Sequence, residues 1–331
     1  MENPEITLQI ATAGEALIDL IGQPDGLFDP CLGGSVFNFT RAMARQNIGT
    51  LYLNPLSGDR FGRQLAQALI ADGVQLAHPE PVPQPTSLAL VNLNEAGHPD
   101  YAFYRQGVAD RTVTAQELMR SCSAAPTLQM VCSGCLALAP EDAAIYLPWL
   151  STCRETGKTV VIDANLRPSV MPDMAAYRRH VLAALQLADV IKASNEDLDH
   201  LGIAGATALD KAKNLLDSTQ AALMALTLGA EGACLLTRSG QVWRAREAQP
   251  VVVIDTVGAG DCFLAGLLTA LLQEDALVLT QKLADGLARR ILSHALASAS
   301  LCVMRRGCVP PSREEVLART RQFPCVVSVL G

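Results

Sequence analysis

Between residues 128 and 193, short apolar, β-branched runs alternate with stretches long enough for helices: 130–135, 159–163 and 190–193 read as strands, 141–156 and 177–187 as helices. This alternation fits parallel βαβ units, whose strands are buried on both faces and therefore lack an in-out pattern. The spacing predicts an α/β fold with a mostly parallel central sheet. In such sheets, ligands gather at the C-terminal ends of the strands.

The 331 residues are half hydrophobic but only 4% aromatic, enough for one large core built from Ala, Leu and Val. A formal net charge of −7 with both signs interspersed leaves no basic footprint for nucleic acid or an anionic membrane. No apolar run approaches the roughly eighteen residues of a membrane span, and the acidic start has no basic segment before an apolar core. The expectation is a cytoplasmic protein. Its ten cysteines, scattered through apolar segments, read as reduced core residues, and Cys132-Ser133-Gly134-Cys135 has no second pair at metal-binding spacing.

The chemistry concentrates further on. Val251-Val252-Val253-Ile254, then Asp255-Thr256-Val257-Gly258-Ala259-Gly260-Asp261, then the apolar residues 263–272, read as a buried strand, a tight loop and a helix. Gly258 and Gly260 allow a sharp turn, and the amides at the helix mouth lack intrahelical acceptors, which makes an anion site. Asp261 stands beside those donors, so a proton acceptor adjoins groups that stabilise phosphate charge, the pairing that phosphoryl transfer requires. Taken alone, the loop also suits an ordinary turn capped by Asp261. Two other phosphate motifs fail: the dinucleotide fingerprint needs glycine where Phe263 stands, and Gly157-Lys158-Thr159 precedes a strand and lacks the earlier P-loop glycine, Thr152 being there instead.

Asp-Thr-Val-Gly-Ala-Gly-Asp resembles the C-terminal signature of the PfkB, or ribokinase-like, carbohydrate kinases, and Gly33-Gly34-Ser35-Val36-Phe37-Asn38 resembles their sugar-side motif. The likeness covers nearly the whole chain. It implies a single domain over residues 1–331 with a ribokinase-like three-layer core and a small β lid formed by residues 16–32 and 86–110. Ser87 to Asn94 and Tyr101 to Arg105 alternate around a turn-rich break, as a hairpin in that lid would. Four prolines among residues 79–85 mark an extended link to it.

The resemblance assigns roles. Asp261 becomes the general base, with Gly258, Ala259 and Gly260 as the anion hole. Asp19, Gly33, Gly34, Asn38, Arg105 and Arg167 face the sugar, Asn38 with an amide that both donates and accepts. Asp163-Ala164-Asn165-Leu166-Arg167-Pro168 is similar to a family segment on the substrate and magnesium side. Lys192, Thr227, Gly229 and Gly232 fall on the nucleotide side with Gly258 and Gly260. For Mg²⁺, the acids are Asp197, Glu196 and Asp163, acting through water; the frame Ser194-x-x-Asp197 departs from the family's Asn-x-x-Glu, and both acids also suit the start of a helix. Asp255 is the natural ligand for a monovalent cation such as K⁺. Where relatives carry Ala-Asn-Ala near the adenine, this chain has Ala295-Leu296-Ala297.

The activity so implied is transfer of the γ-phosphate of ATP to a sugar hydroxyl. Fructose, giving fructose 6-phosphate, suits the motifs best; 2-keto-3-deoxygluconate, ribose and nucleosides are the competing acceptors. A sugar-binding regulator without turnover is the non-enzymatic alternative. Exposed lid strands can pair two subunits into a homodimer. Cys262, next to the base, sits between a helix dipole that lowers a thiol's pKa and an aspartate that raises it.

Overall fold

The computed structural model describes residues 7–23, 25–93, 99–277 and 282–330. The chain opens with β1 (Leu8–Thr12), β2 (Leu17–Gly22), β3 (Phe28–Gly33), α1 (Ser35–Arg45), β4 (Gly49–Tyr52), α2 (Arg60–Ala71) and β5 (Gln75–Leu76). The hairpin β6 (Ser87–Leu93) and β7 (Pro99–Tyr104) follows, with the tip of its turn outside the described residues. Next come α3 (Ala115–Ala124), β8 (Met130–Gly134), α4 (Ala143–Glu155), β9 (Thr159–Asp163), α5 (Met174–Leu187), β10 (Val190–Ser194), α6 (Asn195–Leu201), α7 (Ala208–Ser218) and β11 (Leu223–Thr227). The last part holds β12 (Ala233–Thr237), β13 (Val242–Arg246), α8 (Ala259–Gln273), α9 (Asp285–Val303), α10 (Arg313–Gln322) and β14 (Val326–Val329).

Ten strands form one sheet in the order β14-β13-β12-β11-β10-β9-β8-β1-β4-β5. From β5 to β11 all neighbours are parallel, and β12 to β14 continue antiparallel. Alternate residues of each strand enter opposite cores. Val160 and Ile162 of β9 join the cluster beneath α3, α4, α5, α6 and α7, while Val161 joins the one beneath α1, α8 and α9. Burial on both faces is why these strands read as unbroken apolar runs. The result is the three-layer, ribokinase-like α/β core.

Every residue of α8 from Asp261 to Leu271 is buried, so this helix carries its apolar side chains all the way round. It lies against α9 at Gly266, where a Cβ would come 2.9 Å from the Ala295 Cα. Ala295, Leu296 and Ala297 are all buried, and Leu296 joins the core around α8.

A second sheet of four strands, ordered β3-β2-β6-β7, stands apart from the first. Its inner pair, β2 and β6, is parallel although the two are far apart in the chain, and β3 and β7 flank them antiparallel. Among the described residues, no helix is long and apolar enough to cross a membrane.

One expected strand is absent. Residues 251–254 belong to neither sheet, and Val252, Val253 and Ile254 are 72%, 57% and 62% exposed. The place beyond β13 is taken by β14, arriving from the C-terminal end, so the run cannot add itself there. It is anchored instead at the end of α9, where the Val303 carbonyl accepts from the amides of Ile254 (2.8 Å) and Asp255 (3.2 Å).

Candidate active site

A cavity of about 690 Å³ opens at the C-terminal ends of β1, β8 and β9, between the main sheet and the inner strands of the small one. Glu15, Asn165 and Arg167 contribute from the main sheet's edge, Asp19 from β2, Asn38 from α1, and residues 255–261 from the loop into α8.

Asp261 lies in the first turn of α8. Its Oδ1 accepts from the Ser35 hydroxyl at 2.7 Å and its Oδ2 from the Asn38 amide at 3.1 Å. Ser35 Oγ accepts in turn from Asn165 Nδ2 (2.8 Å), and Asn165 Oδ1 from Arg167 Nη1 (2.7 Å). Five side chains from three distant stretches thus form one hydrogen-bonded line, ending on a carboxylate at the cavity wall. Asn165 adopts a positive φ of 36°, a conformation that asparagine tolerates better than most residues. Burial raises the Asp261 pKa, against the hydrogen bond from Ser35 and the charge of Lys192.

Gly258 caps α8 with φ at 76°, and a Cβ there would fall 2.2 Å from the Cys308 sulphur. Gly260 is crowded from the other side, where a Cβ would stand 2.9 Å from Lys192 Nζ. One amide expected from sequence to be a free donor is already engaged. Ala259 N–H is spent on the Thr256 carbonyl (3.2 Å), closing the turn. Among the described residues, the amides of Gly258, Gly260 and Asp261 have no protein acceptor, and all three residues border the cavity.

Asp19 projects into the cavity from β2. Burial lifts its pKa from 3.8 to about 6, with Arg167 pulling it down and Asp261 pushing it up. Gly33 is glycine because a Cβ would sit 2.1 Å from Asp19 Oδ2, and Gly34 because its φ is 102° and the Glu15 carbonyl lies 2.7 Å from where a Cβ would be. Asn38 keeps its Oδ1 free of any protein donor. Two contributors were not singled out from sequence. Ser35 stands inside the quoted glycine motif, and Glu15 accepts from the Ser35 amide at 3.0 Å, its carboxyl lifted from 4.5 to about 7 by burial.

Arg105 does not face the cavity. Its guanidinium turns under the small sheet, donating to Asp142 (3.3 Å) and to the Leu136 carbonyl (3.3 Å), beside Arg111, which pairs with the same Asp142 at 2.8 Å. Asp142 and Asp110 are buried acids, and they draw Arg105 inward. The side chain of Tyr101 lies outside the described residues.

The acids expected at magnesium do not converge. Asp163 is buried against Lys192, whose Nζ lies 3.0 and 3.1 Å from its two oxygens. Burial raises its pKa to about 7, with Lys192 opposing. Asp197 gives one oxygen to the Ser194 amide and the other to the Leu166 amide, both at 2.7 Å, as the partner of a reciprocal cap on α6. Glu196 is exposed. These residues do not fit a protein-built Mg²⁺ ligand set. Asp255 is likewise engaged, accepting from Val257 N (3.0 Å) and Gly307 N (2.8 Å), so it ties the anion loop to the segment after α9 instead of presenting a free carboxylate.

Thr227, Gly229 and Gly232 border no part of this cavity but share its sheet edge, Thr227 pairing with Ser194 at the end of β10. Gly229 and Gly232 both have positive φ, and a Cβ on Gly232 would strike the Ala245 carbonyl at 2.0 Å. Cys262 is buried, and hydrogen bonds with Cys302 and Cys308, then burial, push its thiol up.

Comparison with known proteins places this arrangement. The family described as pfkB family carbohydrate kinase matches residues 8–315. The chain is 32% identical over 280 residues to a fructokinase of Rhizobium leguminosarum bv. trifolii, covering 82% of each protein, and 29% identical over 315 residues to a fructokinase of Escherichia coli, covering 94% of this chain and 99% of that one. A fructokinase from Vibrio cholerae O395, solved with fructose, ADP and a calcium ion, superposes with a TM-score of 0.77 at 26% identity, over 95% of this chain and 99% of that one. A fructokinase from Xylella fastidiosa with bound ATP gives a TM-score of 0.80 at 24% identity, over 96% and 99%, a likeness of fold. With a glycine-bent loop, a buried aspartate and a match running from β1 into α10, the chain belongs to the pfkB family of carbohydrate kinases, phosphotransferases that act on a sugar hydroxyl.

Proposed function

We propose that the protein is an ATP-dependent fructokinase of the cytoplasm, with Asp261 as its general base. The observation that carries this reading is the Asp261 carboxylate, held by Ser35 and Asn38 beside three unpartnered amides in a cavity that also holds Asp19. In the reaction, a sugar hydroxyl gives its proton to Asp261 as its oxygen bonds to the γ-phosphorus, and the bond to the departing ADP oxygen breaks. The amides of Gly258, Gly260 and Asp261 take up the charge on the transferring group, where fixed dipoles need no reorganisation. Asp19 accepts from sugar hydroxyls opposite, and Asn38 Oδ1 accepts from another.

The nucleotide lies along the sheet edge from Lys192 toward Thr227, Gly229 and Gly232, with its phosphates ending at the anion loop. Lys192 stays cationic: burial works against its charge, but Asp163 and the other acids near it raise its pKa. Asp163 and Asp197 are spent on Lys192 and backbone amides, so Mg²⁺ accompanying the triphosphate would draw its ligands mainly from phosphate and water and would offset phosphate charge. The small sheet serves as the lid, and its outer strands, with Leu27 and Phe28 exposed, offer an edge to a second copy.

A sugar acid such as 2-keto-3-deoxygluconate is less well served. Arg105 is committed to Asp142, and Arg167 spends Nη1 on Asn165, so one partly engaged guanidinium remains for a carboxylate. The test is turnover of the purified protein with ATP on fructose, ribose, 2-keto-3-deoxygluconate and adenosine. Fructose should give the highest kcat/KM; a clear preference for another acceptor sinks the fructose assignment, and ligand binding without ADP formation on any of them sinks catalysis.

A further inference from the structure

Behind the anion loop, three cysteines that share no sequence motif come together. Cys262 follows Asp261 in the first turn of α8, Cys302 ends α9, and Cys308 lies in the connection to α10; their sulphurs all stand within 4.8 Å of one another. Among the described residues, no other group of three or more His, Cys, Asp or Glu side chains is gathered closely enough to hold a metal ion. Cys262 and Cys302 are fully buried, whereas Cys308 reaches the cavity wall.

We infer that Cys262, Cys302 and Cys308 form a binding site for one thiophilic cation of the Zn²⁺ class, with three thiolate ligands and a fourth position open to the cavity beside Cys308. Thiolates bound at about 2.3 Å stand about 3.8–4 Å apart, so the trio must tighten by about 1 Å at most. Three thiolates around Zn²⁺ leave a net charge of −1. The thiol protons pass to solvent, and binding strengthens as pH rises. An apolar core filled by three small thiols would account for burial. It gives no reason for thiols from α8, α9 and the connection beyond to gather directly behind the loop that walls a reactant cavity.

The site is coupled to the loop in front of it. Cys308 Sγ fills the space where a Cβ on Gly258 would be, Cys302 Sγ lies 3.5 Å from the Val257 carbonyl, and Cys262 is bonded to Asp261 through the main chain. An ion that draws the sulphurs together pulls on both ends of the anion hole, so loading slows phosphoryl transfer. That consequence rests on the kinase reading given above, but metal binding itself does not.

The test uses the full-length, reduced, metal-free protein. Zn²⁺ is titrated against a chromophoric chelator, and Co²⁺ is titrated while recording thiolate-to-metal charge-transfer absorption. One equivalent per chain, with charge-transfer bands, is expected. Cys302→Ser, which keeps the hydroxyl donor to Val257, should bind at least 100-fold more weakly, while Cys122→Ser, at a remote thiol, should match the parent. Cys308→Ala carries the same comparison if Cys302→Ser does not fold. Equal affinity in the cluster variants, absence of charge-transfer bands, or two of the three thiols already joined before metal is added would each overturn the site. One equivalent of Zn²⁺ should lower sugar phosphorylation at least tenfold in the parent and not in Cys302→Ser. Binding with unchanged turnover would overturn the coupling to the loop.

Discussion

Ser35 and Asp261 are 226 positions apart in the chain, yet the serine hydroxyl donates to the aspartate at 2.7 Å. The first turns of α1 and α8 therefore face each other, and the base proposed for the reaction is held by a serine of the glycine motif that opens α1. Asp261→Asn should keep the fold and nucleotide affinity and lower kcat at least about 100-fold, the lower range for loss of a positioned base. Steady-state kinetics with nucleotide binding measured separately will decide; a variant that keeps more than about a tenth of the rate removes Asp261 from the role. Ser35→Ala should cost less, because Asn38 still holds Oδ2.

Asp19 gives a pH signature. Burial lifts its pKa to about 6, and only the ionised form has both oxygens free of a proton to accept from sugar hydroxyls. The value of kcat/KM for the sugar should rise with pH through about 6. Asp19→Asn should raise KM for the sugar and flatten that limb. An unchanged profile would mean that Asp19 does not meet the acceptor.

Arg105 separates structure from substrate contact. Replacing it by alanine strips buried Asp142 of one of its two half-buried partners, and Asp110 of a compensating charge. Breaking such a pair costs about 3–5 kcal/mol. Thermal unfolding of Arg105→Ala should fall sharply while KM for the sugar of the folded fraction stays within about threefold, in contrast to Asp19→Asn. A tenfold rise in KM without loss of stability would return Arg105 to the cavity.

Glu15 predicts a slope in stability. Its pKa rises from 4.5 to about 7 on folding, so the folded state holds this proton more tightly than the unfolded chain. The contribution is complete below pH 4.5 and is lost as pH rises through about 7. Glu15→Gln keeps the acceptor for the Ser35 amide and cannot ionise; it should flatten the decline between pH 5 and 8 by up to about 3 kcal/mol. Denaturant midpoints across that range supply the measurement, and a slope equal to the parent's contradicts it.

Gly258 and Gly260 should fail differently. At Gly258 an alanine meets both the positive φ and the Cys308 sulphur, and the backbone alone costs roughly 1–3 kcal/mol. At Gly260 it meets only the end of Lys192. Gly260→Ala should fold near normally and lose kcat, whereas Gly258→Ala should lose both stability and kcat, as melting curves beside turnover will show.

Much of this was legible in the chain. β9 matches its expected bounds, because a strand buried on both faces needs no partner to be recognised. The same pattern misled at residues 251–254, since an apolar β-branched run carries no record of whether a sheet position is vacant, and β14 holds that one from the far end of the sequence. Ser35 and Glu15 escaped notice because their importance lies in pairings across the fold, and so did the convergence of Cys262, Cys302 and Cys308. Asp197 was ambiguous for a local reason: the spacing that suggested a magnesium acid also makes a reciprocal helix cap, which takes one of its oxygens while the Leu166 amide takes the other.

The parallel pairing of β2 with β6 has a consequence for assembly. Parallel neighbours cannot be joined by a tight turn, and here the intervening chain builds β3, α1, β4, α2 and β5 before β6 returns. The wall opposite Asp261 therefore closes late, through a contact of long sequence separation. A molecule stalled with only residues 8–76 collapsed would have Asn38 and Ser35 in place but neither β6 nor β7, and so only half of the sheet that walls the cavity.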